Sequence, residues 1–102
     1  MKYYLISDNI DTQAGLRMAG VEGVVVHTQE EVEEALAHAV ADKSVGLVLI
    51  TSKLVAENRD LVFDYKLNRS KPLIVEMPDR HSGDNVADGI KRYIAEVVGI
   101  KI

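Results

Sequence analysis

The 102-residue chain has no cysteine. That absence removes disulfide staples, thiolate metal sites and thiol nucleophiles together, and it fits a reducing compartment. No apolar run approaches the roughly 20 residues needed to span a bilayer, and Met1-Lys2 leads into an apolar segment with no signal-peptide pattern. A cytoplasmic protein is therefore expected, with peripheral attachment to a membrane complex left open. Positive charge is also in short supply: 12 Lys and Arg stand against 16 Asp and Glu, for a net charge of -4, with both signs mixed along the chain. A surface that follows nucleic-acid phosphates needs clustered Lys and Arg, so no nucleic-acid partner is expected.

Several chemical signatures are missing as well. Neither GxGxxG nor GxxxxGK[ST] occurs, and Gly15 and Gly20 fall within or at the end of a helical segment rather than in the loop before it. The backbone cradle that holds a dinucleotide or nucleotide phosphate is thus absent from the sequence. His27, His38 and His81 are far apart in sequence, with no short metal-ligand spacing between them. No nucleophile-elbow pattern surrounds Ser7, Ser44, Ser52, Ser70 or Ser82. The expectation is a chain with no catalytic residue, no cofactor-binding residue and no metal ligand.

What is present is a regular alternation. Four short β-branched or aromatic-rich runs, Tyr3 to Ser7, Gly23 to His27, Val45 to Thr51 and Leu73 to Met77, read as buried strands. Helical patterns separate them. The clearest spans Gln29 to Ala41, where Val32, Ala35, Leu36, Ala39 and Val40 make one apolar stripe and Glu30, Glu33 and Glu34 face water. Thr28 and Glu31 have capping-box spacing, a device whose loss costs roughly 1 kcal/mol. Ser52 is expected to cap a third helix carrying Leu54, Val55, Leu61, Val62 and Tyr65, and Pro72 to restart extended chain. A last helix is expected over about 84–98.

Strands alternating with helices over short connections imply a parallel sheet covered on both faces, because each right-handed crossover lays its helix on the sheet. The reading is a single α/β domain over 1–102, Rossmann-like, with an open four-stranded parallel sheet in the order 2-1-3-4. Its fourth strand is an edge, where Glu76 discourages unwanted pairing.

In such sheets ligands bind outside the carboxyl ends of the strands, and Ser7, Asp8, Asn9, Asp11 and Thr12 fall there. Asp8 stands where receiver domains carry a metal-binding acid. The third strand ends Ile50-Thr51-Ser52, however, with no carboxylate to accept a phosphoryl group, and Asp8 with Asp11 alone is a thin Mg2+ site. The helix dipole favours both acids near a helix start in any case. The C-terminal segment offers a different kind of surface, since Val86, Ile90, Tyr93, Ile94 and Val97 share one helical face. That stripe can cover the sheet or dock on another protein.

The order and spacing of several segments carry a family resemblance over essentially the whole chain. They are Asp8 followed by Thr12, Gly15, Leu16, Arg17, Ala19, Gly20 and Val21; Glu30 to Ala35; Gly46 to Thr51; Pro72 to Pro78; Ile90-Lys91-Arg92; and Val98-Gly99. In these the chain resembles the F subunit of the archaeal and bacterial V-type (A/V-type) ATPase or ATP synthase. Two places depart from the pattern: Ser52, where an acidic residue commonly follows the strand-three threonine, and Asp79-Arg80, where a Ser-Lys type loop is common. The resemblance implies a noncatalytic central-stalk rotor component, bound to the coiled-coil D subunit and through it to the A/B catalytic head. It implies a place on the cytoplasmic face of the membrane, supporting the coupling of ATP turnover to proton or sodium transport. Ile90, Arg92, Tyr93, Ile94 and Val97 are then the expected partner surface. The alternative is a receiver-like or small-ligand signalling domain that uses the loop around Asp8.

Overall fold

A computed structural model describes residues 2–68 and 72–77. In chain order these form β1 (Lys2–Ser7), α1 (Ile10–Met18), β2 (Glu22–Val25), α2 (Gln29–Ala41), β3 (Val45–Thr51), α3 (Ser52–Glu57), α4 (Arg59–Asn68) and β4 (Leu73–Met77). The four strands make one parallel sheet in the order β2-β1-β3-β4, as the alternation predicts. The helix expected over about 84–98 lies outside the described residues.

The central strands β1 and β3 lack a hydrophilic face because both sides of the sheet are covered there, whereas the edge strands β2 and β4 are only partly buried. Tyr4 and Ile6 of β1, Val48 and Ile50 of β3 and Ile74 of β4 point to one side, where α2, α3 and α4 supply Val32, Leu36, Leu54 and Val62. Leu5, Leu47, Leu49 and Met77 point to the other, together with Leu16 of α1 and Val21. The period-2 alternation of β-strands distributes one sequence run between two cores.

Local signals account for most element ends. The Thr28 hydroxyl accepts from the Glu31 N–H at 3.1 Å while Glu31 Oε1 accepts from the Thr28 N–H at 3.1 Å, which completes the capping box. At the end of α1, the Gly20 N–H donates to Arg17 O at 3.0 Å and the Val21 N–H to Leu16 O at 2.9 Å. This Schellman pair requires the φ of +88° that Gly20 adopts, and Val21 packs in the same core as Leu16.

Some expectations need correction. The third helical segment is two helices, because Asn58 leaves helical geometry (φ -133°, ψ 41°) and its buried side chain donates to Leu54 O at 2.9 Å. An asparagine that bonds its own preceding turn ends α3 in this way. Ser52 is not the cap either: Thr51 holds that position without a side-chain cap bond, and Ser52 Oγ donates to Met77 O at 3.1 Å, tying α3 to β4. The second strand also stops at Val25, short of His27, whose N–H donates to Glu31 Oε1 at 3.1 Å.

A small ion network closes the base of the sheet, where Lys2 Nζ lies 3.1 Å from Asp42 Oδ2 and 3.4 Å from Glu22 Oε2. The Ser44 hydroxyl first, then the Ser44 N–H and Lys2, hold the Asp42 carboxyl down from 3.8 to about 2. The N–H groups of His27 and Thr28 likewise lower Glu31. A depressed carboxylate contributes stability above its ordinary pKa and loses it as pH falls through the folded value. Stability should therefore decline between about pH 4 and pH 2, and Asp42→Asn should flatten part of that decline in urea titrations at stepped pH. An unchanged pH slope in the variant would refute the assignment.

Candidate functional site

The carboxyl ends of β1 and β3 bring Ser7, Asp8, Asn9 and Thr51 together, with the start of α1 above them. Thr51 is fully buried, and its hydroxyl donates to Asp8 Oδ1 at 2.7 Å while receiving the Asp8 N–H at 3.4 Å. Two strands adjacent in the sheet are thus joined by a side-chain bridge at the point where a receiver domain would hold its phosphoacceptor. Ser7 is equally enclosed: its Oγ donates to Asn9 O at 2.9 Å and accepts the Asn9 N–H at 2.9 Å. The β1–α1 loop is folded back on itself by these bonds.

The helix start is occupied in the same manner. Asn9 is the N-cap of α1, and its Oδ1 accepts from the N–H groups of Asp11 at 2.8 Å and Thr12 at 3.3 Å. Free N–H groups at a helix N-terminus are what makes an anion site. Here a phosphate would first have to displace the Asn9 amide oxygen. Asp11 is exposed in the first turn, where the helix dipole suits it, and Thr12 is buried beneath the helix.

The arrangement joins some of the sequence-selected residues and separates others. Ser7, Asp8 and Asn9 share one hydrogen-bonded loop with Thr51, whereas Asp11 faces solvent. Among the described residues no group of three or more His, Asp or Glu side chains converges on a point where a metal ion could sit. His27 and His38 are apart: His38 lies against Tyr4, with ring centroids 5.9 Å apart, while His27 serves the start of α2 through its backbone. Ile90, Arg92, Tyr93, Ile94 and Val97 lie outside the described residues. Sequence reading missed Asn9 as the cap and Thr51 as the partner of Asp8. The first was legible as Asn one residue before an apolar helical position, whereas the second depends on the register of β1 against β3, which the expected strand order does not give.

Among the described residues, no helix is long and apolar enough to cross a membrane. Residues 4–94 match the family described as ATP synthase (F/14-kDa) subunit. Over 94 residues the chain is 30% identical to the F subunit of the A-type ATP synthase of Methanothermobacter thermautotrophicus, covering 90% of this chain and 88% of that protein. The F subunit of the A-type ATP synthase of Methanosphaera stadtmanae shows the same identity and coverage, and that of Methanocaldococcus jannaschii is 27% identical over 100% of this chain and 99% of its own length. With an open parallel sheet whose polar upper edge is bonded to itself, and this match running from β1 into the C-terminal segment, the chain belongs to the family of the ATP synthase (F/14-kDa) subunit.

Proposed function

We propose that the chain is a noncatalytic rotor component of the central stalk of an A/V-type ATP synthase or ATPase. In this reading it binds the coiled-coil D subunit and turns with it, while the A and B subunits of the head carry out the nucleotide chemistry. It sits peripherally on the cytoplasmic face of the membrane and supports coupling of ATP turnover to proton or sodium transport. The observation that supports this reading beside the family match is the occupied sheet top. The Asp8 carboxylate is bridged to Thr51, and the first free N–H groups of α1 are taken by Asn9, so this edge is built as a rigid turn.

The partner surface in this proposal includes Ile90, Tyr93, Ile94 and Val97, with Arg92 at its rim. The same stripe has a competing use as cover for the sheet, so the variants must separate the two. Co-expression with the cognate coiled-coil D subunit should yield a stable complex, and Tyr93→Ala with Ile94→Asp should reduce its recovery while the isolated chain keeps its far-UV circular dichroism. Unfolding of that variant would assign the stripe to the domain's own core and move the partner surface to the sheet edge near Glu76. Failure of the unaltered chain to bind the coiled-coil partner would remove the rotor reading itself.

Incubation with acetyl phosphate and Mg2+ addresses the signalling alternative. Intact-mass measurement is expected to show no adduct. A stable phosphoryl group on Asp8 or Asp11 would contradict a rotor-only role.

A further inference from the structure

α1 buries the wrong residues for a helix that serves only its own core. Among its nine residues the buried ones are Thr12 and Leu16, while Ile10 is 69% exposed and Met18 is 84% exposed. Ile10, Ala14 and Met18 follow i, i+4, i+8 spacing and form one outward row of about 12 Å, with the exposed Ala14 at its centre. Rows of this spacing are the ridges that interlock in helix packing, and a small central residue lets a second helix approach closely. The row is also held still. Asn9 fixes its start and the Gly20 turn its end, so little ordering remains to oppose binding.

We propose that this outer row of α1 is a docking ridge for an α-helix of the coiled-coil D subunit, along an apolar stripe bordered by a basic residue facing Asp11 and an acidic residue facing Arg17. The flanking charges argue for that occupant. Asp11 borders the row on one side and Arg17 on the other, both exposed, and neither side chain has an ion-pair partner among the described residues. The size of the row argues against a second copy of this chain. Two large side chains and an alanine fall well short of the roughly 800 Å2 per partner that a stable pairwise interface buries. Such a ridge suits a chain already held elsewhere in an assembly, and the proposal rests on the rotor reading in that respect.

The test uses the full chain and the cognate coiled-coil D subunit. Ile10→Glu combined with Met18→Lys removes the row while placing an acid at the helix start and a base at its end, where the helix dipole favours them. Its melting temperature should match that of the unaltered chain, and its affinity for the coiled-coil partner should fall about tenfold or more, as expected when two apolar contacts at an interface are replaced by charges. Phe63→Glu with Leu67→Lys, at the exposed apolar positions of α4, should bind as the unaltered chain does. A second readout needs no substitution. Hydrogen peroxide transfers one oxygen to the Met18 thioether and is reduced to water, so sulfoxide should form at Met18 in the free chain and several-fold more slowly in the complex.

Binding of the unaltered chain with equal binding of the Ile10/Met18 variant would overturn the ridge and leave the rotor reading standing. Equal losses from the α1 and α4 variants would also overturn it. So would a dimer of the free chain, seen by sedimentation, that the α1 variant dissociates. No binding of the unaltered chain would instead remove the rotor reading on which the ridge depends.

Discussion

Gly23→Ala is expected to lower the melting temperature by roughly 12–24 °C, because the added methyl group has nowhere to go. A Cβ at this position would lie 2.6 Å from Leu5 Cβ and 2.7 Å from Leu5 O. Gly23 faces Leu5 directly in the β1–β2 ladder, and β1 is clamped on its other side by β3. Relief must come from β2 moving outward, at the expense of ladder bonds. Overpacking of this severity costs about 3 kcal/mol, and each kcal/mol shifts the midpoint of a domain this size by about 4–8 °C. Gly20→Ala is the matching control: a Cβ there meets nothing within 4 Å, so only the φ of +88° opposes it, and about 1 kcal/mol is expected. Thermal unfolding followed by circular dichroism should rank the two in that order. Equal melting of Gly23→Ala and the unaltered chain would show that β2 yields freely.

Leu36→Ala should have an effect of similar size for the opposite reason. Leu36 is fully buried where α2 meets the sheet, in one cluster with Tyr4, Ile6 and Val48. Its removal deletes apolar contacts and leaves a cavity that β-branched strand residues, restricted in their rotamers, fill poorly. The expected cost is about 3 kcal/mol, a large share of the roughly 5–15 kcal/mol that holds a domain of this kind together. Urea unfolding provides the measurement, as a lower midpoint with an unchanged slope. A loss below about 1 kcal/mol would mean that α2 settles onto the sheet and closes the cavity.

Much of the architecture could be read from residues close together in the chain. The β3 and β4 bounds fall where the apolar runs predict, Thr28 and Glu31 close their capping box, and Val32, Ala35, Leu36 and Ala39 are the buried residues of α2. These features depend on neighbours within about one helical turn or one strand, so a local pattern suffices to identify them. The break at Asn58 and the role of Ser52 were illegible for different reasons, the first a local competition that helical spacing does not rank and the second a contact distant in sequence. Asn58 competes for a carbonyl of its own helix, and Ser52 is claimed by the Met77 carbonyl, 25 residues away. Propensity and spacing describe neither competition.

The upper edge of the sheet shows the same division. Its residue types, a serine, two aspartates, an asparagine and a threonine, are equally suited to binding phosphate, holding a metal or closing a turn. The sequence alone narrowed the choice by what was missing, since there is no glycine cradle before α1 and no acid at the end of β3. Pairing of β1 with β3 set Thr51 beside Asp8, and the path of the loop set Asn9 beneath the first N–H groups of α1.

By itself the sequence determined the alternation of strands and helices, the bounds of β3 and β4 and the principal helix, which follow from periodicity, while the order of several segments carried the resemblance to the family. Only the tertiary structure decided which side chains satisfy one another across the sheet, why Gly23 tolerates no side chain, and that α1 turns Ile10 and Met18 outward. Those outcomes depend on distances between strands and on which face of a helix the sheet occupies, quantities that arise only when segments far apart in the chain are packed together.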